Sequence, residues 1–288
     1  MSNPLNALGY RFLSASLQAE RPSTGHPVSL TRRSLLLMAA TLASCRAAAP
    51  LEDTPPATKS HKKKPAANTA SSTPGISFSQ VLVSGNYVAM TFDDGPHPQN
   101  TPRLLDMLRA RDIKATFFVI GQSVNLYPSV VRRTVEEGHE IGNHSNTHRL
   151  LSKLSDAEIC ADLTRCKDAV AHAADYEIRV MRPPYGGLSQ RQRVMVHSQF
   201  GYPTILWSVD PLDWKRPGPS VVASRILKGT TPGSIVLSHD LHGQTVDAMP
   251  ATLDGLLNRG YKFVTVSQLI AMKSAPAATQ AAGSTSKS

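Results

Sequence analysis

Five short polar clusters, each at the end of an apolar run typical of a β-strand, restrict the fold of this chain more than any other feature. The clusters are TFDDGP (91–96), HSNTH (144–148), RPPYG (182–186), DPLDW (210–214) and LSHD (237–240). In a parallel α/β barrel, the carboxyl ends of the strands open on the same face. We therefore expect the five clusters to meet there and to form one site rich in carboxylate, imidazole and guanidinium groups.

Strand-like and helix-like segments alternate from about residue 81 to residue 272. Strands are expected at 87–92, 114–120, 140–143, 178–181, 204–209, 234–237 and 262–266. Helices are expected at 102–111, 129–137, 190–200, 219–227 and 247–259, and from a Ser155/Glu158 capping box to about residue 174. Such alternation predicts a parallel sheet with right-handed crossovers. Because eight complete units usually need about 250 residues, the fold class is predicted as α/β, a distorted (β/α)7 barrel with parallel strands. An open doubly wound sheet is the alternative.

The positive charge of the chain is concentrated outside this alternating region. Residues 1–80 hold nine Lys/Arg against three Asp/Glu, whereas residues 81–272 hold 20 against 18. A nucleic-acid-binding domain concentrates basic residues on the folded part, so no nucleic-acid partner is expected. The first strand is not followed by a glycine-rich phosphate loop, which argues against nucleotide binding. No feature of the sequence implies a protein partner.

The first part of the chain is typical of an export signal. Arg32 and Arg33 precede a short apolar run that ends in small residues and Cys45, a pattern of secretory signals. The arginine pair resembles a twin-arginine signal, and the residues before Cys45 resemble a bacterial lipobox. Residues 1–45 are therefore predicted to be an export signal ending at a lipidated, membrane-anchoring Cys45. A plain secretory signal with an incidental cysteine is the alternative.

Amino-acid composition predicts the boundaries of the remaining regions of the chain. Residues 46–80 are rich in Ala, Pro, Ser, Thr and Lys, which predicts a disordered tether. Residues 81–272 form the predicted catalytic domain, and residues 273–288 a disordered tail. Cys160 and Cys166 lie six positions apart on a predicted helix, too far for a disulfide if the helix is regular, so two free thiols are expected.

Metal ligands are the first expectation for the converging clusters. His144 and His148 are four residues apart and would share a face of a helical turn. Two imidazoles and one carboxylate are a usual ligand set of a catalytic zinc ion, and Asp94 ends a neighbouring strand. A metal ion bound there would lower the pKa of a bound water from about 15.7 toward 7.

Proton transfer is assigned to two further pairs. Adjacent residues on an extended strand point to opposite sides, so Asp93 is predicted as the general base beside Asp94, with Arg182 holding it ionised. His239 is predicted as the general acid. Asp213 is the first choice for the carboxylate that orients His239, and Asp210 is the second.

Substrate contacts are expected from the same clusters. The backbone N–H of Tyr185 is a candidate oxyanion donor. Trp214 and Leu237 are candidate apolar walls for a sugar and an acyl methyl group, although Trp214 could instead be a core residue.

These clusters, in this order, resemble the five motifs of the polysaccharide deacetylases, carbohydrate esterase family 4. The resemblance covers about residues 84–270. It implies that Asp93 is the base, that Asp94, His144 and His148 bind the metal, and that Arg182, Asp213, Trp214, Leu237 and His239 complete the site. It further implies Zn²⁺, with Co²⁺ or Ni²⁺ as substitutes, and substrate contacts by His97 and His242.

The leading hypothesis is removal of N-acetyl groups from an N-acetylated polysaccharide of the bacterial cell envelope, first of all N-acetylglucosamine of peptidoglycan. Such an enzyme would be exported to the periplasm or cell surface. Chitin oligomers, poly-N-acetylglucosamine and O-acetylated xylan are alternative substrates, since ester and amide hydrolysis use the same groups. A non-catalytic glycan-binding protein and a lipid-anchored assembly protein are remote alternatives, because neither needs the set Asp93, Arg182 and His239.

Overall fold

The computed structural model describes residues 75–273. The strands in this range are β1 (Ser77–Phe78), β2 (Tyr87–Asp93), β3 (Thr116–Val119), β4 (Glu140–Asn143), β5 (Thr204–Ile205), β6 (Ile235–Val236) and β7 (Lys262–Phe263). The α-helices in this range are α1 (Asn100–Arg109), α2 (Gly121–Leu126), α3 (Pro128–Glu136), α4 (Asp156–Ala174), α5 (Gln190–Phe200), α6 (Pro219–Gly229), α7 (Gly243–Leu257) and α8 (Val266–Ala271). The predicted export signal with Cys45, most of the predicted tether and nearly all of the predicted tail lie outside the described residues.

Strand β2 is the centre of the pairing. Its carboxyl half pairs with β3, its middle pairs with β6, and its first two residues pair with β7. β3 continues to β4. All of these ladders are parallel, which confirms the predicted α/β class and places the carboxyl ends of β2, β3, β4 and β6 at one end of the molecule.

Between β4 and β6 the pairing consists mainly of isolated parallel bridges. Met181 bridges to Asn143 and Thr204, and Val209 bridges to Val236. The ladders of the described strands therefore do not close into a complete barrel.

The strands predicted at 178–181 and 204–209 are correspondingly too long. The first is reduced to the bridges at Met181, and the second to the two residues of β5 and a bridge at Val209. Pro183, Pro184 and Pro203 lie beside these segments. Proline has no N–H to donate to a ladder, which limits how far the pairing extends.

Alternating residues of β2 face different parts of the core. Val88, Met90 and Phe92 pack in the larger apolar cluster with the helices, whereas Ala89 packs in a smaller cluster with Phe118. Because side chains alternate along a strand, Asp93 is on the side of Ala89.

A glycine in β4 makes room for one of these core residues. A Cβ at Gly142 would lie 2.4 Å from the Cδ1 atom of Phe118, and real Cβ atoms do not approach that closely. Phe118 in turn lies against the guanidinium of Arg182, whose Cζ is 4.2 Å from the ring centroid. The small residue in β4 therefore permits the packing that supports an arginine of the predicted site.

Most helices lie where the sequence pattern predicts them. Helix α4 has the predicted capping box, in which the Ser155 side chain accepts the N–H of Glu158 and the Glu158 side chain accepts the N–H of Ser155. Helix α5 matches its predicted range. Cys160 and Cys166 are free thiols, as expected. No described helix combines the length and the apolar character needed to cross a membrane.

Helix α1 begins at Asn100, two residues before the predicted start. The Nδ1 atom of His97 accepts the N–H groups of Gln99 and Asn100 over 3.2 and 3.1 Å. An imidazole from the preceding turn therefore satisfies the donors at this helix end. Asn100 and Thr101 are the first two residues of the helix.

Other differences arise from contacts that are distant in sequence. Helix α7 begins at Gly243 rather than Asp247, and Thr245 in its first turn donates a hydrogen bond to the buried Asp213. The unpredicted α2 begins where the N–H groups of Gly121 and Gln122 donate to carbonyl oxygens of the loop after β4. The short helix α8 was also not predicted.

The folded part also begins before the predicted boundary at residue 81. Strand β1 lies within the range predicted as tether (46–80) and pairs in parallel with β5, Ser77 opposite Thr204 and Phe78 opposite Ile205. Phe78 is buried in the smaller core cluster. A two-residue strand in a Ser-rich segment is too short to give a periodic signal, which is why composition alone misplaces the boundary.

Candidate active site

All five polar clusters contribute to one cleft of about 380 Å³. The residues that line it are Asp93, Asp94, His144, His148, Pro183, Tyr185, Trp207, Asp210, Trp214, Leu237, His239 and His242. The cleft lies at the carboxyl ends of the strands, as the positions of the clusters predict. Two residues of the predicted set, Arg182 and Asp213, are buried beneath it.

Asp94, His144 and His148 form the candidate metal centre. The Oδ1 atom of Asp94 lies 3.3 Å from Nε2 of His144 and 3.1 Å from Nε2 of His148. This oxygen is buried and has no hydrogen-bond partner among the described residues. A cation between the three atoms would satisfy it, and two imidazoles with one carboxylate suit a catalytic metal ion. The residues therefore fit a bound metal.

Neighbouring groups determine the protonation of Asp94 and the position of the proton on His144. Burial raises the pKa of Asp94, but the adjacent imidazoles of His144 and His148 outweigh burial and hold the pKa well below its ordinary value of 3.8. Nδ1 of His144 donates to the carbonyl oxygen of Arg182 over 2.7 Å. With its proton on Nδ1, His144 presents the lone pair of Nε2 to Asp94, the orientation that metal-binding histidines require.

The two histidines converge through a loop and not through the helical turn that their spacing suggests. Ser145 and His148 have left-handed backbones, with φ values of 66° and 55°. The side chain of Ser145 accepts the N–H of His148 over 2.9 Å. The buried Asp162 of α4 accepts hydrogen bonds from Asn146 and Thr147. Left-handed backbone is costly for such residues, so these contacts hold the loop in place.

Asp93 lies directly beside this centre. Its Oδ2 atom is 3.8 Å from Nε2 of His144, and its Oδ1 atom accepts a hydrogen bond from Nη1 of Arg182 over 2.7 Å. Arg182 is completely buried and also donates to Thr91 and to the carbonyl oxygens of Ile205 and Leu206. The predicted pair of carboxylate and guanidinium is therefore present as a buried ion pair with one carboxylate oxygen facing the cleft.

His239 lines the same cleft and is held by Asp213. Nδ1 of His239 is 2.9 Å from Oδ1 of Asp213, and the other carboxylate oxygen accepts the backbone N–H of His239 and the hydroxyl of Thr245. Burial lowers the pKa of His239, but the hydrogen bond and charge of Asp213, with the charges of Asp93 and Asp94, raise the pKa from 6.5 to about 9. The side chain is therefore a cation at neutral pH. Nδ1 donates to Asp213, and Nε2–H remains as a proton donor.

Aromatic and apolar side chains form the walls of the cleft. Tyr185 is 69% exposed and its ring packs edge-on against His148, with centroids 4.8 Å apart. Trp214 is 50% exposed, which rules out the alternative that it is a core residue. Leu237 is buried at the cleft wall. Trp207 also lines the cleft and was not predicted, since it follows β5 without a polar cluster to mark it.

Three further residues were predicted at the edge of the site, and the structure places them differently. His242 lines the cleft, with its ring centroid 6.0 Å from that of His239. His97 is not among the lining residues and caps α1 instead. Asp210, the second choice for orienting His239, lines the cleft, and its side chain accepts the backbone N–H of Leu212.

A buried carboxyl group supports the turn that carries Asp94. Asp240 is completely buried, and its Oδ2 atom accepts a hydrogen bond from Thr101 of α1. A Cβ at Gly95 would lie 2.5 Å from the same oxygen. Burial, together with the charges of Asp94 and Asp93, raises the pKa of Asp240 to about 7. The hydrogen bond from Thr101 acts in the opposite direction and lowers this pKa. Gly95 is therefore required by the close approach of this carboxyl group.

Comparisons with known proteins agree with this geometry. The sequence profile of the family described as polysaccharide deacetylase matches residues 82–205. The peptidoglycan-N-acetylglucosamine deacetylase PgdA of Listeria monocytogenes is 42% identical over 186 residues, which cover 65% of this chain and 39% of that relative. A peptidoglycan-N-acetylglucosamine deacetylase of Bacillus cereus is 40% identical over 191 residues, which cover 65% of this chain and 89% of that relative. The chain thus spans less than half of the Listeria relative.

One solved structure with a similar fold is described as a pseudoenzyme. A CE4 family pseudoenzyme from Bacillus anthracis is 31% identical, with a TM-score of 0.63, and the match covers 67% of this chain and 68% of that one. The fold by itself therefore does not establish catalysis, and the residues of the cleft must be judged individually. The profile and the Bacillus cereus relative confirm the family that the five clusters predict: this chain belongs to the polysaccharide deacetylases.

Proposed function

We propose that this protein is a metal-dependent hydrolase that removes N-acetyl groups from a cell-envelope glycan, with N-acetylglucosamine of peptidoglycan as its substrate. The observation that carries the proposal is that the candidate metal centre shares one cleft with Asp93, which is paired with Arg182, and with His239, which is paired with Asp213. The curated relatives described above act on N-acetylglucosamine of peptidoglycan. A binding protein would not need both proton-transfer groups.

The metal is assigned as Zn²⁺, with Co²⁺ or Ni²⁺ as substitutes, held by Asp94, His144 and His148. When bound, it supplies a Lewis acid for the amide carbonyl and acidifies a water molecule. Two imidazole nitrogens and one carboxylate oxygen are a usual ligand set of a catalytic zinc ion. The buried, unpartnered Oδ1 atom of Asp94 supports the assignment of this residue as a ligand.

Asp93 is assigned as the general base. Its Oδ2 atom faces the candidate metal centre, while Arg182 occupies its Oδ1 atom. The attacking water gives a proton to Asp93 as the new C–O bond forms at the amide carbon. The guanidinium pairs with this carboxylate and fixes its position.

His239 is assigned as the general acid. Its Nε2–H donates a proton to the leaving nitrogen as the C–N bond breaks, which releases an amine and acetate. Asp213 accepts the hydrogen bond of Nδ1 and keeps the imidazole protonated. The backbone N–H of Tyr185 is assigned to the oxyanion, and the side chains of Trp214 and Leu237 to the faces of the sugar and the acetyl methyl group.

The substrate is tested by acetate release from peptidoglycan, chitin oligomers, poly-N-acetylglucosamine and acetylxylan, with zinc present. Mass spectrometry of the products then identifies which sugar has lost its acetyl group. We expect the highest kcat/KM on peptidoglycan, with glucosamine as the product. Release of acetate from acetylxylan alone would contradict the proposal, and no release from any glycan by metal-loaded protein would favour a binding protein.

The pH profile tests the assigned acid. Since the pKa of His239 is about 9, the imidazole is protonated below that pH and loses its proton as the pH rises through it. We expect kcat to fall above about pH 9. Asp213→Asn removes the hydrogen-bonded charge that raises the pKa, so the alkaline limb should move to lower pH. Asp210→Asn, a matched change elsewhere in the cleft, should leave the limb in place, and an unchanged limb in Asp213→Asn would contradict the assignment.

We further propose that residues 1–45 direct export to the cell envelope and that Cys45 carries a lipid anchor, with residues 46 to about 74 as a tether. The support is the sequence pattern before Cys45 and the envelope glycan on which the relatives act. Cys45→Ala should move the protein from the membrane fraction to the soluble fraction, as measured by immunoblotting of fractionated cells. Cys160→Ala, which changes a free thiol of the folded domain, is the control. An unchanged membrane fraction in Cys45→Ala would exclude the lipid anchor.

A further inference from the structure

A second hollow, the Arg216 recess, adjoins the cleft and is not used by the proposed reaction. It has a volume of about 410 Å³ and is lined by Arg216, Leu241, His242, Gly243, Gln244 and Asp247. His242 lines both the recess and the cleft. Because its ring is 6.0 Å from that of His239, the recess begins one side chain away from the assigned general acid.

The backbone fixes the position of Arg216 relative to the cleft. Leu212 and Arg216 have left-handed backbones, with φ values of 55° and 54°. The N–H of Arg216 donates to the carbonyl oxygen of Asp213 over 2.8 Å, and the side chain of Asp213 holds His239. Trp214 of the cleft wall lies between the two left-handed residues. One turn therefore presents both an aromatic wall to the cleft and a guanidinium to the recess.

The charges of the recess are not balanced. Within residues 75–273, the exposed side chain of Arg216 forms no ion pair and no hydrogen bond. Asp247, the one carboxylate among the lining residues, is paired with Arg103 over 2.7 Å. The side chain of Gln244 accepts the backbone N–H of Gly218 and leaves its amide group at the edge of the recess. The recess thus offers an unpaired cation and hydrogen-bond donors, but no free anion.

We propose that the Arg216 recess binds a carboxylate on the glycan next to the sugar that is deacetylated, and thereby selects anionic over neutral polysaccharides. The proposal rests on the proposed function, since the cleft must hold an N-acetylated sugar. Arginine binds carboxylates with two parallel hydrogen bonds. In peptidoglycan such a carboxylate comes either from the lactyl group of muramic acid or from the stem peptide, whereas chitin has none.

The test compares wild-type protein, Arg216→Gln and Lys215→Gln on charged and neutral glycans whose sugar backbones have the same length. Lys215 is a neighbouring exposed cation whose ammonium group lies 5.0 Å from the ring of Trp214, and it does not line the recess. The substrates are peptide-free peptidoglycan tetrasaccharides with free lactyl carboxylates, their methyl esters, the same tetrasaccharides carrying stem peptides, and chitotetraose. Acetate release with zinc present gives kcat and KM for each.

Arg216→Gln should raise KM by about twofold to fivefold on a carboxylate-bearing substrate, the range expected for loss of an exposed ion pair, with little change in kcat. The loss should shrink at high salt. Methyl esters and chitotetraose should be unaffected, and Lys215→Gln should behave as wild type. An effect on the free-acid tetrasaccharide identifies the lactyl group, and an effect confined to the stem-peptide substrate identifies the peptide.

Two results would overturn the proposal. One is an equal rise in KM for charged and neutral glycans, and the other is no rise for any of them in a variant that melts at the wild-type temperature. Failure of the proposed function gives a different result, because wild-type protein would then release no acetate from any of these four substrates. In that case calorimetric titration of wild-type and Arg216→Gln protein with the free acid and with its methyl ester decides whether the recess recognises a carboxylate.

Discussion

Replacing His148 with alanine is expected to remove the bound metal and to lower kcat/KM by about 10³-fold or more. A catalytic metal contributes several kcal/mol to the stabilisation of the transition state, and each ~1.4 kcal/mol corresponds to a tenfold change in rate. One imidazole and one carboxylate, Asp94 with His144, are too few ligands to retain zinc at ordinary concentrations. Metal content, by mass spectrometry of dialysed protein, and acetate release are measured together.

His148 is a better position for this substitution than His144. The side chain of His148 is 25% exposed, whereas that of His144 is 3% exposed. Removing the imidazole of His144 would also leave the carbonyl oxygen of Arg182 without its donor, and an unsatisfied buried acceptor destabilises the fold. Loss of activity in His148→Ala is therefore easier to separate from unfolding.

Two controls complete the metal experiment. His172→Ala changes an exposed histidine in the last turn of α4 and should retain both metal and activity. Chelation of wild-type protein should abolish acetate release, and added zinc should restore it in wild-type protein but not in His148→Ala at the same concentration. Full turnover by metal-free wild-type protein would show that the assigned mechanism is wrong.

The convergence of the site could be predicted from sequence because it follows from strand polarity. Asp93, Asp94 and His239 each follow a buried apolar run, and parallel strands bring such positions to one end of the sheet. The pairing of His239 with Asp213 could also be predicted. A histidine that acts as an acid needs a neighbouring carboxylate, and the polar clusters offered few carboxylates without another assigned role.

The local geometry of the metal loop could not be predicted in the same way. A spacing of four residues suggests a helical turn, but the left-handed backbones of Ser145 and His148 bring the two imidazoles together in a loop. The buried Asp162, which holds this loop, lies in the middle of α4, where a carboxylate is normally exposed to solvent. Its importance depends on a contact between elements that are not adjacent in sequence, and periodicity carries no information about such contacts.

The same limit applies to the ends of strands and helices. The strand at 178–181 has an apolar pattern, yet Met181 makes only isolated bridges. The first turn of α7 donates a hydrogen bond to Asp213, and the imidazole of His97 accepts N–H groups at the start of α1. These contacts exist only in the folded chain, whereas propensity and capping motifs describe local preferences.

Asp93→Asn is expected to lower kcat by about 10²–10⁴-fold, the contribution typical of a positioned general base, while the metal stays bound. Asparagine can still accept the hydrogen bond from Arg182 but cannot take a proton from water. The ligands Asp94, His144 and His148 are unchanged, so metal content should equal that of wild-type protein. This combination distinguishes loss of the base from loss of the metal, because His148→Ala loses both metal and activity.

The substitution is also expected to destabilise the fold, because Arg182 is completely buried and loses its counter-ion. Removing one partner of a buried ion pair costs about 3–5 kcal/mol, so kcat must be measured well below the melting temperature of Asp93→Asn.

Asp210→Asn makes the same chemical change at an exposed carboxylate of the same cleft, and its kcat should remain within about tenfold of wild type, less than the loss expected for a general base. If Asp93→Asn released acetate at the wild-type rate while folded and metal-loaded, another group would have to accept the proton. No other carboxylate that lines the cleft lies as close to the candidate metal centre without being one of its ligands.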